Sequence, residues 1–183
     1  MRMYIRFLRL FLSRLFRYEF FDGVSSLSFR LMPWDCVVSK AGNDRYHAFM
    51  DMGRIDLLMK AGVYPGSPHP FIYTSHIRHC AALRMFQRFQ LTTRLVHTDK
   101  FFFWTEHVFE SGGKVIATAV SKNGLLKWGK IMPTADAYAY PLPEETLSLT
   151  ANEILTIEKM EGVLKKIRGH KNINQDHDTD TAS

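Results

Sequence analysis

One long amphipathic helix, followed by a series of strand-like runs, is the feature that most restricts what this chain can fold into. The helical stretch is "NDRYHAFMDMGRIDLLMKAG", residues 43–62. Tyr46, Phe49, Met50, Gly53 and Leu57 share one face by their i, i+3, i+4, i+7 and i+11 spacing. Asn43 is the expected N-cap and Gly62 the expected stop, with Lys60 in the last turn complementing the helix dipole. Glycine costs about 1 kcal/mol relative to alanine inside a helix. Gly53 within the apolar stripe therefore predicts that a sheet approaches the helix closely.

Four strand-like runs come after the turn-rich connector "GVYPGSPHP" (62–70): "FIYTSHIRHC" (71–80), "RFQLTTRLVH" (88–97), "KFFFWTEHVFE" (100–110) and "KVIATAVSK" (114–122). Thr98-Asp99 and Ser111-Gly112-Gly113 supply hairpin turns between the last three, and Asn123-Gly124 reads as a further tight turn before "LLKWGKI" (125–131). Ahead of the helix, "SSLSFRLMPW" (25–34) reads as a strand closed by Pro33, with Trp34-Asp35 at its end. One helix against such a sheet has to be heavily buried. The expected class is α+β: an antiparallel sheet around one long central helix. Pro133, Pro141 and Pro143 mark the exit from the sheet, and "TANE" (150–153) is a capping box opening a C-terminal helix to about residue 168. The expected organisation is an arm over 1–22, a domain over 23–140, a helical extension over 141–168 and a polar, disordered tail over 169–183.

Charge is concentrated at one end. The net charge is +6, and Arg2, Arg6, Arg9, Arg14 and Arg17, with no acid among residues 1–18, account for +5 of it. A nucleic-acid-binding body would spread its bases over a face of the fold, so no nucleic-acid partner is expected. At about 100° per residue, Arg2, Arg6, Arg9 and Arg17 fall in one sector, and Tyr4, Phe7, Leu8, Phe11, Leu12 and Leu15 fill the rest. This is the pattern of a helix lying on an anionic membrane surface through residues 1–20. A helix packed on the protein's own body or on a partner subunit, and an Arg-rich transit peptide, share the pattern. The arginines interrupt any apolar run long enough to span a bilayer. Two cysteines, Cys36 and Cys80, make no disulfide framework and favour a reducing, cytoplasmic setting.

The order of elements and the words on it resemble the hotdog-fold acyl-CoA thioesterases, in particular the subgroup of thioesterase superfamily member six. Relatives of that kind carry a strand ending near Trp-Asp, a loop reading His-Met-Asn-Asn-Gly/Ala-Arg-Tyr and a helix like "FMDMGRIDLLMKAG". Their downstream stretch resembles "ALRMFQRFQLTTRLVHTDKFFFWTEHVFESGGKVIATAV" (82–120). The resemblance covers roughly residues 1–130. It implies a sheet wrapped around the helix, pairing of two subunits as a homodimer, and thioester chemistry at the helix amino terminus. There, backbone N–H groups would meet the thioester carbonyl, and a carboxylate would activate water or attack directly.

Carried over by position, Trp34, Asp35, Asn43, Arg45 and Tyr46 match the pattern. The usual loop histidine falls at Lys40, the first asparagine at Gly42 and the Gly/Ala at Asp44; the second acid of many hotdog enzymes falls at Val37. The resemblance implies Asp35 as a candidate catalytic acid; Asp44 has no counterpart in the pattern and is a second candidate by its place at the helix mouth, with Asn43, Arg45, Tyr46, Lys40 and Trp34 as candidate substrate contacts. Asp51 with Arg54 and His47 reads as a salt-bridged face, and Asp56–Lys60 as ordinary helix pairing. His76 and His79 fall on opposite faces of their strand. No metal spacing and no phosphate loop are present, and no cofactor is expected. The expected activity is hydrolysis of an acyl-CoA or acyl-carrier-protein thioester. The altered loop leaves two alternatives: a cyclase, dehydratase or product-release reaction in a biosynthetic pathway, and a non-catalytic membrane-attached module that binds acyl groups or protein.

Overall fold

The computed structural model describes residues 22–63 and 68–136, together with Arg6, Leu8, Leu12 and Lys159. The chain divides into two units, 1–148 and 149–183. Of the second, only the helical Lys159 is described, so the predicted capping box at 150–153 and the tail lie outside the described residues.

Over residues 22–63 and 68–136 the first unit is a curled antiparallel sheet around one helix, the hotdog arrangement. Its strands are β1 (Val24–Arg30), β2 (Cys36–Val37), β3 (Lys40–Ala41), β4 (His69–His79), β5 (Arg88–Thr98), β6 (Phe102–Ser111), β7 (Lys114–Lys127) and β8 (Lys130–Met132), and the helix is α1 (Asn43–Lys60). The main sheet runs β1-β5-β6-β7-β4, with β8 on β7, and β2 and β3 form a separate two-residue hairpin. Strands β5, β6 and β7 follow one another as the predicted meander, and β4 closes onto β7. Pro70 sits in β4, an edge strand, where a missing N–H is tolerated.

Three local expectations are corrected. The strand before the helix stops at Arg30, and Pro33–Asp35 forms a 3-10 turn, so Trp34-Asp35 lies in that turn and not at a strand end. Pro33 opens the turn because its fixed φ suits a first helical position. The N-cap is Gly42, leaving Asn43 as the first helical residue. Asn123-Gly124 is not a turn but lies inside β7, where a Cβ on Gly124 would collide with the Phe71 ring. The turn falls instead at Trp128-Gly129, whose φ values of 53° and 76° are those of a two-residue hairpin. At the other end of α1, Ala61 is the C-cap and Gly62 takes φ 73°.

Side chains that face α1 follow from the register. Leu27, Leu91, Phe109 and Ala117 are successive cross-strand partners and belong to one apolar cluster with Tyr46, Phe49 and Met50. A second cluster joins Leu57, Leu58 and Ala61 to Leu95, Phe103 and Leu125. Each fully buried side chain of this size contributes roughly 1.5–3 kcal/mol.

Between the two clusters runs a buried polar belt. Thr93, Thr105, His107, Ser121 and Asn123 are all fully buried and share the helix-facing side of β5, β6 and β7. Thr93 Oγ1 lies 3.0 Å from His107 Nδ1, and Thr105 Oγ1 lies 3.1 Å from His107 Nε2 and 2.8 Å from Ser121 Oγ. Asn123 Nδ2 donates to Thr105 Oγ1 at 3.0 Å, and its Oδ1 accepts from Arg54 Nη1 at 3.0 Å. Arg54, itself buried, pairs through Nη2 with Asp51 Oδ1 at 2.5 Å. The Asp51–Arg54 pairing expected on a helix face is therefore present, but it reaches down into the core. Asp56 is also fully buried and accepts from Ser25 Oγ at 2.6 Å, while Lys60 Nζ donates to the Val24 carbonyl at 3.0 Å. Both residues tie α1 to β1, a role that ordinary helix-surface pairing does not describe.

Gly53 sits above this belt, and a Cβ there would collide with Thr93 Oγ1 and press on Leu91. Gly53→Ala gains helix propensity, yet it should destabilise the protein by about 1–3 kcal/mol through overpacking, read as a lower denaturant midpoint. Burial, and then the positive charges of Arg54 and His47, hold His107 down at about 3. In the unfolded chain a histidine titrates near 6.5. The stabilisation from keeping His107 neutral is therefore complete above about pH 6.5 and is lost as pH falls from there toward 3, by up to about 1.4 kcal/mol per unit. Urea midpoints at pH 7 and pH 4.5 should show a drop that is smaller in His107→Gln.

Candidate active site at the helix mouth

The route from β1 to α1 builds the candidate site. Leu31 leaves the sheet with its N–H on the Gln87 carbonyl at 2.9 Å, and the Pro33–Asp35 turn then folds the chain back. The β2–β3 hairpin follows, with Ala41 N donating to the Leu83 carbonyl at 2.9 Å. Gly42 then donates to the backbone carbonyl of Asp35 at 3.2 Å and caps α1. That last bond sets the residue carrying the first acid directly beside the helix amino terminus. The first-turn N–H groups of an α-helix have no intrahelical acceptor, and the dipole adds partial positive charge there.

Asp35 is buried, and its carboxylate has a defined hold. Oδ2 accepts from the Met32 N–H at 3.0 Å and from Arg6 Nη2 at 2.7 Å. The same Arg6 Nη2 donates to the Arg30 carbonyl at 3.1 Å, and the guanidinium lies 5.3 Å from the Phe49 ring centroid. Asp35 Oδ1 has no hydrogen-bond partner among the described residues. Asp44 contrasts with it: the side chain is two-thirds exposed and pairs with Arg45 Nε at 3.0 Å. One acid is thus held inside the wall of the mouth, and the other stands open to water.

The other candidates divide between the mouth and the core. Asn43 is exposed at the first helical position, and Lys40 is exposed on β3, bridged to Arg84. Trp34 is partly exposed in the turn that carries Asp35. Tyr46 instead points into the core, edge-on to Phe109 at 5.2 Å and to His79 at 4.7 Å between ring centroids. Burial pushes its phenol up, opposed by a hydrogen bond to the Leu83 backbone. Phe49 is likewise core. Cys36 adjoins the mouth, but burial and then the Asp35 charge push its thiol up, which disfavours a thiolate nucleophile. No group of three His, Cys, Asp or Glu residues gathers as a metal site among the described residues.

Two parts of this neighbourhood were missed in the sequence. Arg6 comes from 29 residues upstream of Asp35, and nothing in the arm's periodicity distinguishes it from the other arginines. The polar belt had a signal: Thr93, Thr105, His107 and Ser121 occupy core parity in their strands, alternating with side chains on the other face. Removing Arg6 leaves a buried carboxylate oxygen without its strongest donor. Arg6→Ala should lower unfolding free energy by about 1–3 kcal/mol, with Arg6→Lys recovering part of it in the same denaturation measurement.

Residues 32–147 match the family model of the Thioesterase-like superfamily. A search of curated proteins found no match to the chain. Among solved structures, the chain is similar to gentisyl-coenzyme A thioesterase at 20% identity, with 62% of this chain and 98% of that one covered and a TM-score of 0.57. It is similar to a probable thioesterase from Bartonella henselae at 17% identity, covering 60% and 98% with a TM-score of 0.56. A mutant of 4-hydroxybenzoyl CoA thioesterase complexed with 4-hydroxybenzoyl CoA matches at 13% identity, covering 63% and 96% with a TM-score of 0.58.

Proposed function

The chain belongs to the thioesterase-like superfamily, and from that we propose that it hydrolyses the thioester of an acyl group on a CoA-type carrier, with the helix mouth as its active site. The observation that carries this reading is the bond from Gly42 N–H to the Asp35 carbonyl, which sets an acid and a helix amino terminus side by side. Gly42 N–H is held by the Asp35 carbonyl and Arg45 N–H by the Gly42 carbonyl, so a thioester carbonyl placed at the first turn of α1 is polarised by the N–H groups of Asn43 and Asp44 between them and by the dipole. A carboxylate takes a proton from water as the water oxygen bonds to the carbonyl carbon. The tetrahedral oxyanion is held by the same N–H groups. It collapses by breaking the C–S bond, and the departing thiolate takes up the proton, giving a carboxylic acid and a free thiol.

Asp35 is our assignment for the base, since it matches the acid of the resembling subgroup. Its burial and the Arg6 contact mean that substrate or solvent has to reach Oδ1, the oxygen with no partner among the described residues. The exposure of Asp44 favours a second reading, in which that acid holds the water and Asp35 keeps the mouth in shape. Asn43, Lys40, Arg45 and Trp34 then line the approach for the acyl carrier, and Tyr46 supports the helix from below. The similarity to a gentisyl-coenzyme A thioesterase and to a thioesterase complexed with 4-hydroxybenzoyl CoA supports a CoA substrate over a carrier-protein thioester.

The outer edge of β4 has no strand partner among the described residues, and we expect two copies to meet there as a homodimer. No helix of the described residues is long and apolar enough to cross a membrane. The arm over residues 1–20 is assigned to the surface of an anionic membrane, on the arginine and leucine pattern of its sequence, with the domain on the cytoplasmic side.

Assays on a panel of aliphatic and aromatic acyl-CoA thioesters test the reading. Asp35→Asn should lower kcat by about 10²- to 10⁴-fold if it is the general base, while Asp44→Asn changes KM or stability more than kcat. The reverse result moves the base to Asp44. If neither variant changes turnover by threefold, the carboxylate mechanism is wrong. If the unmodified protein turns over no thioester, a non-catalytic acyl- or protein-binding module takes its place.

A further inference from the structure

Three residues other than glycine have positive φ among the described residues: Val38 at 63°, Phe86 at 63° and Trp128 at 53°. Trp128 shares its two-residue turn with Gly129 at the end of β7. Val38 and Phe86 lie in two turns that are joined beside the helix mouth. Lys40 and Arg84 form an antiparallel bridge, and Met85 N donates to the Ser39 carbonyl at 3.0 Å. Val38 and Phe86 are the next residues along from Ser39 and Met85, and Phe86 N–H is held by the Leu31 carbonyl at 2.8 Å.

Both residues occupy turn positions that favour glycine. Val38 is the first central residue of the β2–β3 turn, and Phe86 is the second central residue of a turn closed by Gln87 N on the Arg84 carbonyl at 3.1 Å. A β-branched or bulky residue at positive φ is a genuine outlier. The strain leaves nearly all of Val38 and more than half of Phe86 in water. Val38 is 91% exposed, Phe86 56% and the neighbouring Val37 68%. Lys40 and Arg84, both exposed, rim this tip. Like charges paired across strands repel, so an anion laid over them would relieve the repulsion. Within residues 31–42 and 80–88 the only acid is Asp35, which is buried and paired with Arg6, and the exposed Asp44 next to Val37 is paired with Arg45.

The arm supplies an independent observation at the same end of the molecule. Arg6, Leu8 and Leu12 are helical, and Arg6 turns inward to Asp35 and the Arg30 carbonyl. Leu8 and Leu12, spaced i and i+4 on another side, are 56% and 49% exposed. The polar side chain faces the protein and the apolar ones face out, the inverse of a helix docked for stability.

We propose that the tip of the body formed by Val37, Val38 and Phe86, rimmed by Lys40 and Arg84, is a lipid-contact site that enters the interface of an anionic membrane beside the arm. The apolar side chains reach below the headgroups and the two bases pair with lipid phosphates and carboxylates. This rests on the membrane part of the reading above and is independent of thioester hydrolysis. It adds a contact made by the folded domain itself, next to the mouth.

The test is co-sedimentation of the full chain with phosphatidylcholine vesicles, with and without phosphatidylserine, at low and high salt. The Val38→Gly/Phe86→Gly double variant suits both backbone positions, so it should melt at the same or a higher temperature. Its partition onto serine-lipid vesicles should nevertheless fall at least about tenfold, because two apolar side chains that would enter the lipid are lost. Leu8→Ser/Leu12→Ser is the parallel arm variant. If the tip variant binds like the native chain while the arm variant does not, the arm assignment stands and the tip proposal is overturned. Native binding that is absent, or that salt does not weaken, overturns it as well, since headgroup attraction to exposed bases is screened. A fall in the tip variant's solution mass from dimer to monomer would make the tip a contact between copies of this chain and exclude the lipid assignment.

Discussion

The close approach of α1 to β5 at Gly53 is the contact on which the rest of this domain depends. With no side chain on Gly53, Thr93 comes to the helix surface, and Arg54 beside it reaches across to Asn123. One polar layer then links β5, β6 and β7 to the helix, with an apolar cluster on either side. Its members carry more specificity than net stability. A buried hydrogen bond is worth about 1 kcal/mol net, yet an unsatisfied partner costs about 1–3 kcal/mol. A one-residue slip of any of the three strands would turn its polar groups to the other face and leave the rest unpaired. The belt therefore fixes the register, and the register fixes where α1 begins.

That beginning is where the chemistry is expected. The helix mouth is not assembled by the helix alone. The Pro33–Asp35 turn, the β2–β3 hairpin and the segment around Leu83 are stitched together by backbone bonds, and Gly42 ends the path at the Asp35 carbonyl. Arg6 then closes on the Asp35 carboxylate from the arm. An acid that is buried, ion-paired and adjacent to a helix amino terminus is held in one position, whereas Asp44 is free to meet solvent. The two acids occupy environments that differ as much as two carboxylates at one site can, and differing environments are how paired acids come to take different roles.

The same loops that frame the mouth contain the least comfortable backbone in the described chain. Val38 and Phe86 hold left-handed conformations with their side chains largely exposed. Strain of this kind persists when the surrounding bonds over-determine it, and here the Lys40–Arg84 bridge and its neighbouring backbone bonds do so. The framework of the site and the exposed apolar tip are products of one small set of main-chain contacts.

What the sequence determined by itself was whatever depends on local periodicity. The stripe on α1, the hairpin turn at Gly112-Gly113, and the meander were legible because helix and strand repeats are written in successive residues. The turn expected at Thr98-Asp99 begins one residue later, since Thr98 is still in β5 and pairs with Phe103. Gly53 was legible too, since an interior glycine in an apolar stripe has few other uses. Asn123-Gly124 was misread because turn chemistry is a local signal, and the packing of Gly124 against Phe71 is not local. Only the tertiary structure decided the rest. Asp56 reads as a partner of Lys60 in ordinary helix pairing and is buried against Ser25; Tyr46 reads both as part of the apolar stripe and as a substrate contact, and the fold packs it against Phe109 and His79. Arg6, Asp35 and Gly42 meet across 36 residues of chain, and Arg54 meets Asn123 across 69. Such pairings follow from how a sheet curls around a helix, and no spacing along the chain encodes them.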